Sequence, residues 1–156
     1  MSEYVLAQVN IGRLKAPLDD PALQSFVTRL GPVNASADVS DGFIWRLKTE
    51  DGNATAIRIF SDDMLLVNLS VWESVETLQA WVYGSMHAEM LKQRRSWFEQ
   101  MRESYTALWW IPRGATPTVA DAEERLLHLR ANGPSPFAFT FKAPFPAPDH
   151  ALTLGE

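Results

Sequence analysis

The chain contains no cysteine. Disulfides, thiolate nucleophiles, zinc–thiolate centres and cysteine-ligated haem are therefore excluded. Histidine is scarce, with three in 156 residues. His87, His128 and His150 include no pair at metal-ligand spacing, so no metal site is expected. No run approaches the ~18 apolar residues of a membrane-spanning helix. The opening "MSEYVLAQVN" lacks the basic-then-apolar layout of a signal peptide. A cytoplasmic protein without a membrane partner is expected. Basic charge is in deficit: 14 Lys and Arg against 19 Asp and Glu leave a net charge of -5, which argues against nucleic acid as a partner. The basic spot "KQRRSW" is local and flanked by Glu89 and Glu99. There is also no Gly-rich nucleotide fingerprint, no P-loop and no G-x-S-x-G elbow.

What is present is apolar and aromatic: 46% hydrophobic residues and six tryptophans, enough for one domain with a real core. Residues 1–142 read as that domain and 143–156 as a Pro-rich, irregular tail. "YVLAQVNI" reads as a strand. Asp20 and Pro21 then open a helix that Gly31-Pro32 is expected to stop, leaving "VNASADVSDG" as loop and Asn34 as a turn residue. "GFIWRLKT" and "ATAIRIF" look like a hairpin joined through "EDGN". "MLLVNLSVW" is a strand, followed by helices over "ESVETLQAWVY" and "SMHAEMLKQRRSWFEQMRE" with a break near Gly84. "YTALWWIP" is a strand stopped by Pro112. The next helix is capped by Thr118, with Asp121 three residues on, and ended by Asn132-Gly133-Pro134. "PFAFTFK" reads as a last strand. The order β-α-β-β-β-α-β with an appended helix and strand predicts an α+β fold, with helices on one face of a mainly antiparallel sheet.

Leu65, Val67, Leu69 and Val71 give "MLLVNLSVW" one wholly apolar face, and Leu66 and Trp72 keep the other face rich in large apolar groups. A sheet wet on one side would alternate cleanly, so both faces should be covered. A second copy's sheet is the economical cover, which predicts a homodimer. The alternative is that the appended C-terminal segment does this work.

On a wheel at about 100° per residue, His87 and Arg94 fall in the centre of the apolar arc of Ser85 to Arg102, between Met86, Met90, Trp97 and Met101 on one side and Leu91 and Phe98 on the other. A buried arginine keeps its charge, so it needs a carboxylate, several carbonyls or a water-filled cavity. Either Arg94 pairs with an acid such as Asp38 or Asp41 and His87 meets a backbone carbonyl, or the two line a pocket. Asn10 and Gln8 alternate on the first strand, where an amide needs a partner. Asn10 either bridges strands or holds a polar group of a ligand. Trp81, Tyr83 and Trp97 are candidate aromatic walls, with Met90, Trp45 and Trp72 as further candidate lining residues. For the tryptophans the competing role is core or interface.

The segments "LAQVNIGRL", "GFIWRL", "LVNLSVWES", "LQAWVYGSMH", "RRSWF", "LWWIP" and "GPSPFAFTF" together resemble the dimeric α+β-barrel superfamily. That superfamily includes antibiotic-biosynthesis and haem-degrading monooxygenases. The chain looks like a bacterial family within it that carries the label of a domain of unknown function. The resemblance implies a ferredoxin-like protomer, a barrel built from two copies and a pocket between sheet and helices. It further matches Asn10 and Trp81 to an asparagine and a tryptophan linked to oxygenation of polycyclic phenols. The haem-degrading members place a histidine ten residues after the tryptophan, where this chain has Leu91; His87 follows Trp81 by six. The expectation is thus a cofactor-independent monooxygenase-like enzyme, or related isomerase or cyclase chemistry, acting on an aromatic or polyketide-like substrate. His87 would be the general base, Arg94 the oxyanion partner and Asn10 the carbonyl partner. The alternatives are a haem protein with His87 as ligand and a non-catalytic dimeric module that binds a small apolar molecule.

Overall fold

The computed structural model describes residues 3–48 and 57–148, without the side chains of residues 85–88 and 91. Four strands, β1 (Tyr4–Arg13), β2 (Phe43–Arg46), β3 (Leu65–Trp72) and β4 (Thr106–Pro112), form one sheet in the order β2-β3-β1-β4. Every neighbouring pair is antiparallel, with Asn10 opposite Asn68 and Thr106, and Gln8 opposite Ser70 and Leu108. Four α-helices accompany it: α1 (Gln24–Asp38), α2 (Val75–Val82), α3 (Ser85–Trp97) and α4 (Val119–Asn132). With α1 between β1 and β2, and α2–α3 between β3 and β4, this is the expected α+β, ferredoxin-like arrangement.

Strand alternation divides the core in two. Odd positions of β1 and β3 (Val5, Val9, Leu69, Val71), with Trp109 of β4, pack against Ala122, Leu126 and Leu129 of α4. Even positions Leu6, Trp72 and Leu108 pack beneath α2 with Leu78. Farther along that face, Leu66 joins Leu14, Phe26, Trp97 and Phe98 under α1 and α3. Both faces are covered, as the apolar alternation requires, but the odd face is covered by this chain's own C-terminal helix. Val5, Val9, Ile11, Leu69 and Trp109 are all at most 1% exposed in the single chain. A second copy is therefore not needed to bury that face.

Helix termini follow local chemistry. Asp20 accepts the Ala22 N–H ahead of Pro21. Ser74 and Thr77 form a capping box on α2, and Thr118 and Asp121 one on α4, which ends at Gly133 with φ 76°. The break expected near Gly84 is there, between α2 and α3.

Three expectations are corrected. First, α1 runs straight through Gly31-Pro32 to Asp38. Proline forfeits one backbone bond, yet the glycine before it has no Cβ to clash with the ring. The residues beyond it, Val33, Asn34 and Ala37, are buried, so tertiary packing carries the helix past the interruption. Second, α3 ends at Trp97 rather than near Glu103. Phe98 turns extended (φ -123°, ψ 145°) and bridges to Leu14, and Lys15 and Glu99 donate to the carbonyls of Trp97 and Arg13. Third, β2 pairs with β3, and residues 57–60, the described part of the expected second hairpin strand, join no strand of the sheet. Residues 49–56, which include the expected turn, lie outside the described residues. Ile59 and Asp62 instead close a tight turn in which Phe60 and Ser61 have φ of 55° and 53°. For residues with a Cβ each such conformation costs about 1–2 kcal/mol. Glu123 of α4 helps hold it by accepting the Phe60 N–H at 2.8 Å.

After α4, Phe139 forms a backbone bridge to β4, exchanging two hydrogen bonds with Leu108 of 2.8 and 2.9 Å. "PFAFTFK" thus meets the sheet through one bridge, between two local turns, rather than as a strand. The start of the Pro-rich tail is irregular but fastened: Trp110 Nε1 donates to the Phe145 carbonyl at 2.8 Å, and Ala147 is buried. His150 lies outside the described residues.

Candidate active site

Between the even face of the sheet and helices α1–α3 lies a cavity of about 570 Å³. Its floor is a row of amides created by register. Gln8 is 6% exposed and donates through Nε2 to Asn68 Oδ1 (2.6 Å) and Ser70 Oγ (2.7 Å). The indole of Trp72 donates to the same hydroxyl at 2.9 Å. Asn10 gives one amide hydrogen to Thr106 Oγ1 at 3.2 Å, and its carbonyl oxygen has no partner among the described residues. Asn10 therefore bridges strands, and it also lines the cavity.

At the end of the cavity nearest Gly12, Arg94 reaches back from α3. One Nη donates to the Ile11 carbonyl at a long 3.4 Å. The guanidinium carbon lies 5.1 Å from the Phe98 ring centre and 4.8 Å from that of Tyr105. Gly12 makes this approach possible, because a Cβ there would sit 2.7 Å from the Phe98 ring. Burial pulls the Arg94 pKa below its ordinary value, and the Tyr105 side chain opposes that fall. An arginine nonetheless stays charged. No carboxylate among the described residues pairs with it. Asp38 is taken by Arg46, whose Nε and Nη2 reach its two oxygens at 2.7 and 3.2 Å and hold the Asp38 carboxyl below its usual range. Among the described residues the cavity is lined by Arg46, Arg94 and Lys142 and by no Asp or Glu, a positive lining in a chain of net charge -5.

The opposite end is aromatic and apolar. Trp81 lines it, stacked on Trp72 at 5.6 Å, and gives its indole N–H to Ser36 Oγ at 3.0 Å. Tyr83 stands at the rim, 68% exposed. Met90 and Trp97 line the roof, with the Trp97 indole fixed to Ser25 Oγ at 2.9 Å. Asn10, Arg94, Trp81, Tyr83, Met90 and Trp97 thus meet around one space.

Two other candidates do not line it. Trp45 pairs with Val71 and packs into the core on the opposite face of the sheet. Trp72 is on the correct face but fully buried behind Trp81, edge-on to Phe43. His87 lies in the first turn of α3, and its side chain lies outside the described residues. His128 is on α4, away from the cavity, beside Asn132 and the Phe137 ring.

Several lining residues were not anticipated as such. Asn34, read as a turn residue, is 8% exposed within α1, lines the cavity and makes no side-chain hydrogen bond among the described residues. The expected stop at Pro32 hid it. Asn68 and Tyr105 were also missed. The signal for Asn68 was present: with Ser70 it is a polar residue on a strand otherwise apolar on both faces. Among the described residues, no three acidic or histidine side chains are grouped to hold a metal, and no helix is long and apolar enough to cross a membrane.

Comparison with known proteins gives the family and the fold. Residues 5–154 match the model of a domain of unknown function, DUF3291. No curated protein matches. Among solved structures, a conserved protein from Methanosarcina mazei Go1 superimposes with a TM-score of 0.51 at 11% identity, over 70% of this chain and 93% of the other. SnoaB, a cofactor-independent oxygenase from Streptomyces nogalater, gives 0.45 at 15% identity over 74% and 97%. A candidate antibiotic biosynthesis monooxygenase from Nitrosomonas europaea gives 0.47 at 12% over 76% and 96%. The match over nearly its whole length, tail included, makes this chain a member of the DUF3291 family, built on a ferredoxin-like α+β fold.

Proposed function

We propose that the chain is a small-molecule enzyme acting on an oxygenated aromatic substrate by cofactor-independent monooxygenation, or by the proton transfer that such oxygenation begins with. The single observation that carries this reading is Arg94: a partly buried cation lining a large cavity, with two aromatic rings and one distant carbonyl for company and no carboxylate. Such a group is suited to an anion that forms or binds inside. Asn10, with its amide committed to Thr106, is held ready for a hydroxyl or enol of the substrate, and Trp81 and Trp97 supply flat apolar walls.

In this reading His87 takes a proton from an activated ring carbon, and Arg94 stabilises the resulting enolate. The carbanion attacks O₂ to give a peroxide. Loss of water from that peroxide leaves a carbonyl, so one oxygen atom enters the product and the other departs as water. A histidine is matched to this work because its ordinary pKa is close to neutral. His87→Ala is expected to abolish O₂ uptake with 1,8-dihydroxyanthrone while circular dichroism stays unchanged. Uptake at the unaltered rate would remove His87 as the base. The homodimer that the resemblance implies belongs to the same proposal, through a surface other than the face closed by α4.

A further inference from the structure

The chain that follows α4 returns to the cavity and forms part of its wall. Phe139 is fully buried and joins Leu108 of β4 as an antiparallel bridge. The residues after it therefore run back along β4 toward Thr106 and Tyr105, and Thr140, Phe141 and Lys142 line the cavity with those two. A turn closes there, with the Ala143 N–H donated to the Thr140 carbonyl at 3.2 Å and to Thr140 Oγ1 at 3.3 Å. Beyond the turn, the Phe145 ring packs on Phe139 at 5.8 Å, and the Phe145 carbonyl accepts the Trp110 indole N–H at 2.8 Å. The turn is thus clamped on both sides by groups rooted in the core, which holds in place whatever it presents.

It presents two donors. Lys142 is exposed, lines the cavity and makes no ion pair among the described residues. The Thr140 hydroxyl oxygen accepts from Ala143, which leaves its hydrogen to give. Tyr105 is also the ring beside which the Arg94 guanidinium lies at 4.8 Å, so both cations border the start of β4. Among the described residues no Asp or Glu lines the cavity to neutralise either of them. They differ in setting, Arg94 being largely buried and Lys142 at the mouth. A charge the ligand already carries is costly to strip of water, so it fits the mouth. The buried guanidinium fits charge that appears only during reaction.

We propose that the turn from Thr140 to Ala143 is a specificity element: Lys142 and the Thr140 hydroxyl receive a carboxylate of the ligand at the mouth of the cavity. Two donors match the two oxygens of a carboxylate, whereas a phosphate would leave one oxygen and one charge unmatched. The inference rests on the functional reading of the cavity and narrows its substrate class to carboxylic acids, with Lys142 as the residue that selects them.

The test compares biphenyl-4-carboxylate with biphenyl-4-carboxamide, which have the same shape and differ by one charge, by calorimetric titration of the full-length protein near neutral pH. The acid is expected to bind roughly fivefold more tightly, and its advantage should shrink as salt is added. Lys142→Gln should bind the two alike, and Lys142→Glu should prefer the amide. Equal binding of the two by the unaltered protein overturns the proposal, as does failure of both to bind. A preference for the acid that persists in Lys142→Gln also overturns it and assigns the carboxylate to Arg94. O₂ uptake by the unaltered protein with 1,8-dihydroxyanthrone, which has no carboxylate, reports separately on the functional reading. Uptake without any advantage of acid over amide removes the carboxylate and keeps that reading.

Discussion

Arg94→Met is expected to lower O₂ uptake with 1,8-dihydroxyanthrone by about 10²–10³-fold while leaving the protein at least as stable as before. The two halves of this expectation share one cause. A charge removed from water is costly unless a paired charge and good hydrogen bonds compensate it, and Arg94 has only two ring faces and a carbonyl at 3.4 Å. Methionine keeps the stem and its packing against Phe98 and Tyr105, and it orphans no buried carboxylate, because none is paired there among the described residues. Stability should therefore hold, as measured by chemical denaturation. The transition state loses the guanidinium that would stabilise its developing negative charge, so turnover should collapse. Arg46 does not substitute for it, since its guanidinium is engaged by both oxygens of Asp38. Turnover within twofold of the unaltered protein would show that no anion develops at this end of the cavity. A large loss of stability would make Arg94 a structural residue.

Leu126→Ala is expected to cost about 2–5 kcal/mol, against a total stability of about 5–15 kcal/mol for a domain of this kind. Leu126 is fully buried at the centre of the α4 contact with the odd face of the sheet, so truncation leaves a void between helix and strands. Its sequence neighbour Leu127 is 54% exposed, and Leu127→Ala should cost no more than about 0.5 kcal/mol. The contrast, read from urea denaturation, separates the packing role of α4 from its helix propensity, since both changes replace leucine by alanine on one helix. Near-equal costs at the two positions would mean that α4 is not the cover of this face, and a second copy would again be needed to bury it.

Much of the architecture was legible in the sequence because it is written in local chemistry. Asp20-Pro21, the Thr118 box, Gly84 and Gly133 each mark a boundary where the structure has one. The alternation in β3 correctly required both faces to be covered, but periodicity carries no information about which chain supplies the cover. Long-range contacts defeated the local signals elsewhere. Pro32 is a genuine helix breaker that burial of Val33, Asn34 and Ala37 overrules, and Phe98 leaves the helical pattern because Leu14 offers it a backbone partner. The site divided in the same way. Asn10, Arg94 and Trp97 were placed beside the cavity by strand and helix periods, and Trp81 by the resemblance. Trp45 was misassigned because aromatic character alone does not tell one sheet face from the other. Asn34 was lost with the helix that carries it.

The most direct measurement is a crystal soaked in 2,6-dihydroxyanthraquinone. Difference density should fill the cavity between α1, α3 and the even face, with one hydroxyl oxygen within about 3.2 Å of the Arg94 guanidinium. Density elsewhere on the molecule, or in the cavity with Arg94 turned away from the ligand, would contradict this account of how the chain works.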